Sequence, residues 1–276
     1  CLNKQLLMLF NAIKNSLLVA LLLLLITACQ NNDPGENAAW LRIKLTDAAS
    51  PVIKELYLDI NGIEVFVNDS KNSKGEWIPV SFQGSEYNLF KLMNGRTVLL
   101  AEQYIPAGGV LQKIKLIPGS NSRMISNTSQ SISLQLPPEI REGIIIDNVN
   151  AELYANIISS IVIDVNASLS VRELNGNYFI YPVARAFSET FGGKLRGFVE
   201  PVEAAAFIAV VHDTDTFMTL PEADGMFMFT GLAEGTWEVH MIANPLANYR
   251  DTVFTDTIVQ GQITEIRPKP VRLKPV

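Results

Sequence analysis

The chain is poor in the residues from which most catalytic centres are assembled. It holds two cysteines, Cys1 and Cys29, and two histidines, His212 and His240, in 276 residues. Two thiols cannot supply a zinc-finger or disulfide framework. The stretch 40–187 has neither a histidine nor a cysteine, so it cannot build a Ser-His-Asp or Cys-His site from its own residues. Charge is also sparse and leans negative. Lys and Arg number 22 against 28 Asp and Glu, a net charge of −6 that would repel phosphate and excludes a basic nucleic-acid binder. With 18% charged and 48% hydrophobic residues, the chain has too much to bury to remain disordered. No Gly-x-Ser-x-Gly elbow, His-Glu-x-x-His, phosphate loop, dinucleotide fingerprint or internal repeat is present.

What is abundant is unevenly placed. Residues 1–28 hold 20 apolar side chains, including the run 17–26, with Lys4 and Lys14 forming a basic start. That run is short for a bilayer span of about 20 residues. Small residues close it, and Asn31, Asn32, Asp33, Pro34 and Gly35 follow as a polar tether, the layout of a secretory signal. Ile26-Thr27-Ala28-Cys29 resembles a lipobox, the bacterial lipoprotein signal. The resemblance implies cleavage before Cys29, a lipid on its thiol, and anchoring to the outer membrane without a transmembrane span. Without Lys4 and Lys14 the remaining 248 residues carry 20 basic and 28 acidic groups, a net charge of −8.

From Trp40 onward the periodicity is that of strands. In residues 161–172, Ile161, Ile163, Val165, Ala167, Leu169 and Val171 alternate with Val162, Asp164, Asn166, Ser168, Ser170 and Arg172, which predicts one long strand with a buried and a wet face. Further strands are predicted at 40–45, 56–67 with a bulge at Asn61-Gly62, 77–81, 111–117, 131–136 and 178–187. Turn chemistry at Asn94-Gly95, Pro118-Gly119 and Asn175-Gly176 separates them. Helical turns are expected only at 87–93 and 99–104. The pattern breaks at Gly192-Gly193, and strands resume at 195–199, 204–211, 226–230, 236–243, 251–254 and 263–267. The reading is all-β, with two β-sandwich-like domains in tandem. Its divisions are a signal peptide (1–28), a tether (29–39), a first domain (40–187), a linker (188–193) and a second domain (194–276).

Two family resemblances accompany this pattern. Leu45-Thr46-Asp47-Ala48, the run 58–65, the run Tyr87-Asn88-Leu89-Phe90-Lys91-Leu92-Met93-Asn94-Gly95, Ile105-Pro106-Ala107-Gly108 and Tyr181-Pro182-Val183-Ala184-Arg185 resemble the bacterial domain-of-unknown-function family 4382. Ala49 stands where that family has proline. The resemblance implies a secreted or lipid-anchored β-rich domain and no established activity. The runs 224–232 and 235–239 resemble carboxypeptidase regulatory-like domains, which are prealbumin-like sandwiches related to starch-binding folds, with Trp237 in place of the usual tyrosine. That motif implies a fold, since its glycines turn and its aromatics fill a core.

Candidate chemistry is thin. Asp59, Glu64, Asp147 and Asp164 are the carboxylates available for glycoside chemistry, and all are expected on wet faces or in turns. Asp213, Asp215 and Asp224, near His212, are oxygen donors for a metal but lack a recognised spacing. Among Trp77, Trp237 and Tyr249, Trp77 is the better sugar-stacking residue, because Trp237 shares a strand face with Val239 and Met241. Residues 206–211 and 226–229 are apolar on both strand faces, which predicts packing against the first domain or another protein. No cofactor is expected. The expectation is a lipid-anchored envelope protein, not an enzyme, acting in binding or assembly with a glycan or an envelope protein as partner. A carbohydrate-binding lipoprotein and a glycosidase using paired carboxylates are the alternatives.

Overall fold

The computed structural model describes residues 37–48, 53–69 and 74–276. The leader, Cys29 and all but the end of the tether lie outside the described residues. The described chain is all-β, and two pairs of sheets each enclose a core.

In the first pair, the strand Ala38–Ala48 runs between Ile158–Asn166, which is parallel to it, and Val98–Pro106, which is antiparallel. Ala184–Ser188 closes the far edge. Ala39, Leu41, Ile43 and Leu45 are fully buried on one face, and Trp40, Arg42 and Lys44 alternate with them on the other. The facing sheet is organised by the 17-residue strand Ile53–Asp69, paired mainly with Gly109–Pro118. The register shifts between Ile60 and Gly62, as the sequence predicts. The extra residue changes the phase of the alternation, so Leu56, Leu58 and Ile60 and then Ile63, Val65 and Val67 all reach one core.

The second pair sets Met226–Leu232, Gly193–Glu200 and Ile263–Glu265 against the meander Asp215–Thr219, Phe207–His212, Gly235–Ile242 and Thr252–Ile258. Phe227, Phe229, Val239, Met241 and Trp237 fill the space between them. Trp237 is in the core as predicted, and its indole N–H donates to the Ala233 carbonyl at 2.9 Å, which satisfies its one polar atom.

Three local predictions fail for identifiable reasons. The run 161–172 is not one strand. Ile158–Asn166 ends where the Asn166 side chain accepts from Leu169 N, starting the helical turn Ala167–Ser170, and a new strand, Val171–Leu174, leaves in a hairpin with Asn177–Ile180. The Ser170 hydroxyl donates to Asn166 O at 2.6 Å and accepts from Val183 N at 3.0 Å, so side-chain bonds replace ladder bonds at this corner. The same chain reversal divides the predicted strand 178–187 at residues 181–183. Residues 99–104 are not a helical turn but part of Val98–Pro106, because pairing with Ala38–Ala48 outweighs local preference. The Asn175-Gly176 hairpin is present, with both residues left-handed at φ 52° and 77°.

The corner makes a sharp prediction. Ser170 is fully buried, so Ser170→Ala strands the Val183 amide and costs about 1–3 kcal/mol, whereas Leu169→Ala, at an exposed position, changes stability by under about 0.5 kcal/mol. Urea midpoints for the two variants check this. Equal effects would mean that 161–172 behaves as one strand.

Candidate functional site

The two cores meet at a joint built around Asn94 and Arg185. Asn94 follows the short 3-10 turn Leu89–Leu92 and takes a left-handed conformation, φ 57°, which an asparagine tolerates better than most residues. The Thr46 hydroxyl, 2.9 Å from Leu92 O and 2.8 Å from Arg96 O, holds the loop against the first sheet. The Asn94 side chain therefore projects across the joint. It is buried, its amide nitrogen donates to Leu220 O at 3.0 Å and Glu222 Oε1 at 2.8 Å, and its oxygen accepts from the Thr219 hydroxyl at 3.0 Å and Met228 N at 3.2 Å. Both donors and both acceptor positions of the amide are thus satisfied by the second unit of sheets. Gly95, with φ 78°, continues the turn, and a Cβ there would lie 2.4 Å from Met228 Cε. Arg96 adds an ion pair to Glu222 at 2.6 Å.

Arg185 provides the second fastening, from the edge strand Ala184–Ser188. Its Nε donates to Asp164 Oδ2 at 2.9 Å, across one rung of the same sheet. Nη1 and Nη2 cross the joint to the Gly231 carbonyl at 2.7 Å and the Thr230 carbonyl at 3.1 Å. The guanidinium lies 3.7 Å from the Phe217 ring centroid. A planar cation with five donors suits this mixed environment better than an ammonium would. Burial pushes the Asp164 carboxyl above the usual aspartate range, and the charge and hydrogen bond of Arg185 pull it only partly back.

Beside the joint opens a cleft of about 390 Å³, lined by Phe187, Phe191, Lys194, Thr230 and Gln262 among others. Its acid Glu189 is held by Lys44 at 2.8 Å. The sequence-predicted carboxylates do not converge on it. Glu64 pairs with Lys115 at 2.6 Å and Asp147 with Lys113 at 2.9 Å. Asp59 is buried, accepts from Asn121 N at 2.9 Å and braces the loop that follows Gly109–Pro118. The expectation of wet faces and turns therefore fails for Asp59 and Asp164, which are structural.

Asp213 sits in the tight turn joining Phe207–His212 to Asp215–Thr219, at φ 51°, and Asp224 caps Met226 N at 3.0 Å. Among the described residues no three His, Cys, Asp or Glu side chains converge as metal ligands. Trp77 is half-buried, with Phe66 at 5.3 Å between ring centroids and the Lys115 ammonium 4.7 Å from its ring. Tyr249 packs on the second core.

Of the apolar runs with two apolar faces, Met228 does meet the first unit at Gly95. Phe207 and Val211 instead stay half-buried on a face shared with the Glu238–His240 pair. Asn94 and Arg185 were marked in sequence by the family resemblance, and Asn94 also by its Asn-Gly turn, but nothing there assigned them to a joint. Thr219 and Glu222 had no signal, because their partner Asn94 lies 125 and 128 residues away.

Two measurements probe the joint. Asn94→Ala leaves four polar groups without their partner, at about 1–3 kcal/mol for each that water cannot reach. Calorimetry should then resolve two unfolding transitions in place of one, and a single transition at unchanged temperature would contradict the coupling. Because the folded Asp164 pKa is raised, its contribution to stability is fully present below the unfolded value and is lost as pH rises through the folded one. The stability of the wild type relative to Asp164→Asn therefore improves as the pH falls. A gap that closes on acidification would show that the ion pair dominates burial.

The chain is similar to shaft pilin SpaA of Lactobacillus rhamnosus GG at 12% identity, TM-score 0.25, covering 86% of this chain and 98% of the pilin. It is similar to BcpA, the major pilin subunit of Bacillus cereus, at 7% identity, TM-score 0.24, covering 87% and 71%. It is also similar to the Bacillus anthracis TIE protein at 10% identity, TM-score 0.26, covering 86% and 41%. Likenesses this distant carry no argument about architecture or activity. No curated protein sequence matches the chain. Residues 38–182, which form the first pair of sheets apart from its last edge strand, match the domain of unknown function DUF4382, and the chain belongs to that family.

Proposed function

We propose that this chain is a lipid-anchored cell-envelope protein of the outer membrane that acts through binding or assembly, not catalysis. Its anchor is the lipid on Cys29. Its working body is two β-sandwich modules, 40–187 and 194–276, with 188–193 between them and the second module of carboxypeptidase regulatory-like type. The observation that carries this reading is the engagement of the carboxylates an enzyme would require. Asp59, Glu64, Asp147 and Asp164 each have a backbone or cationic partner of their own, and none pairs with another across a cleft. The joint supports it further, since Asn94 and Arg185 hold the modules in a fixed relation, as a spacer or adaptor requires. No helix among the described residues is long and apolar enough to cross a membrane.

Metabolic labelling with a palmitate analogue tests the anchor. The wild type incorporates label and Cys29→Ala does not, and label retained by Cys29→Ala would remove the lipid from Cys29. A glycan array tests the ligand class. Binding that disappears in Trp77→Ala would move the reading to a carbohydrate-binding lipoprotein.

A further inference from the structure

The first described residues lead into an exposed apolar patch. Trp40 stands at the centre of a row across the outer face of the first sheet. Tyr104 is its register partner on one side, with ring centroids 4.7 Å apart, and Ile158 on the other. Trp40 N donates to Ile157 O at 3.1 Å, and Ile157 N to Tyr154 O at 3.3 Å, which brings two more apolar side chains to the same end of the sheet. Tyr104, Tyr154, Ile157 and Ile158 are 47%, 55%, 53% and 52% exposed, far more than aromatic and isoleucine side chains usually are when they adjoin one another. The chain enters the fold here, since Ala107 N donates to Asn37 O and Asn156 N to Ala38 O, both at 2.9 Å. The charge bordering the row, Arg42, is neutralised by Glu102 at 3.1 Å.

We infer that this patch docks on the lipid headgroup region of the membrane that carries the anchor. The inference rests on the acylation of Cys29 proposed above. Cys29 is eight residues before Asn37, and a fully extended chain of that length spans at most about 28 Å. Asn37, where the chain enters the fold three residues before Trp40, is therefore held within that distance of the bilayer, and the patch meets it at high effective concentration, so a weak contact is enough. Its composition suits the interface. Tyr104 and Tyr154 combine an exposed apolar ring with one polar tip and suit the boundary where hydrocarbon meets water, while half-buried Trp40 and the isoleucines supply apolar area. The Arg42–Glu102 pair places no net charge beside Trp40. A soluble protein partner would need no such proximity to the tether.

The test uses the acylated full-length protein in vesicles of phosphatidylethanolamine and phosphatidylglycerol whose acyl chains carry bromine, a short-range quencher of indole emission. The Trp40 signal is the difference between wild type and Trp40→Phe. It should be lost in brominated relative to plain vesicles, while emission from buried Trp237 persists. Ile158→Glu and Tyr104→Glu, both at exposed positions, should restore it without changing the unfolding midpoint. Acylation is scored separately by the mass of the N-terminal peptide. An unacylated peptide removes the anchor and the docking together. An acylated protein whose Trp40 is unquenched overturns the docking alone, as does protection of the patch by a protein in intact cells with no quenching in vesicles.

Discussion

A single buried amide holds the two halves of this molecule in register. A primary amide has two N–H donors and an oxygen that accepts twice, and at Asn94 all four are used across one joint. Removing such a group from water is tolerable only when every hydrogen bond is replaced. The loop must therefore present Asn94 at one angle, which explains its left-handed backbone, the adjacent Gly95 and the Thr46 hydroxyl that holds the two ends of the turn. Arg185 repeats the principle with charge. Its carboxylate partner Asp164 lies on its own side, and its remaining donors reach carbonyls opposite, where no second charge has to be buried.

The same logic places the four carboxylates singled out in the sequence. Asp59 braces a loop, Glu64 and Asp147 pair with lysines on neighbouring strands or loops, and Asp164 bridges a rung beside the joint. Half-buried Asp164 keeps a raised pKa because desolvation exceeds the help it gets from Arg185. The surface also carries shape and apolar area, in the cleft by Phe191 and in the row through Trp40.

Much of the fold was legible in sequence because strand alternation and turn dipeptides act over a few residues. The bulge at Asn61-Gly62, the hairpin at Asn175-Gly176 and the core position of Trp237 all follow from local phase. The corner at Ala167–Ser170 did not, although its residues alternate without a break. Whether Ser170 bonds along a ladder or back to Asn166 depends on where Val183 arrives from 13 residues later. Short strands such as Asp215–Thr219 were missed for a related reason, since they exist through their partners more than through their own pattern.

The sequence by itself determined the all-β class, the two sets of strands divided near Gly192-Gly193 and the absence of a histidine- or thiol-based site from the first of those sets. These depend on composition and on period, which are properties of neighbours along the chain. Tertiary structure alone decided that Asn94 and Arg185 join the cores, that Asp59 and Asp164 are structural supports, and that Trp40, Tyr104 and Ile158 form one surface. Each of these residues meets partners tens to more than a hundred positions away, which only strand register and the stacking of sheets bring within hydrogen-bond or van der Waals distance.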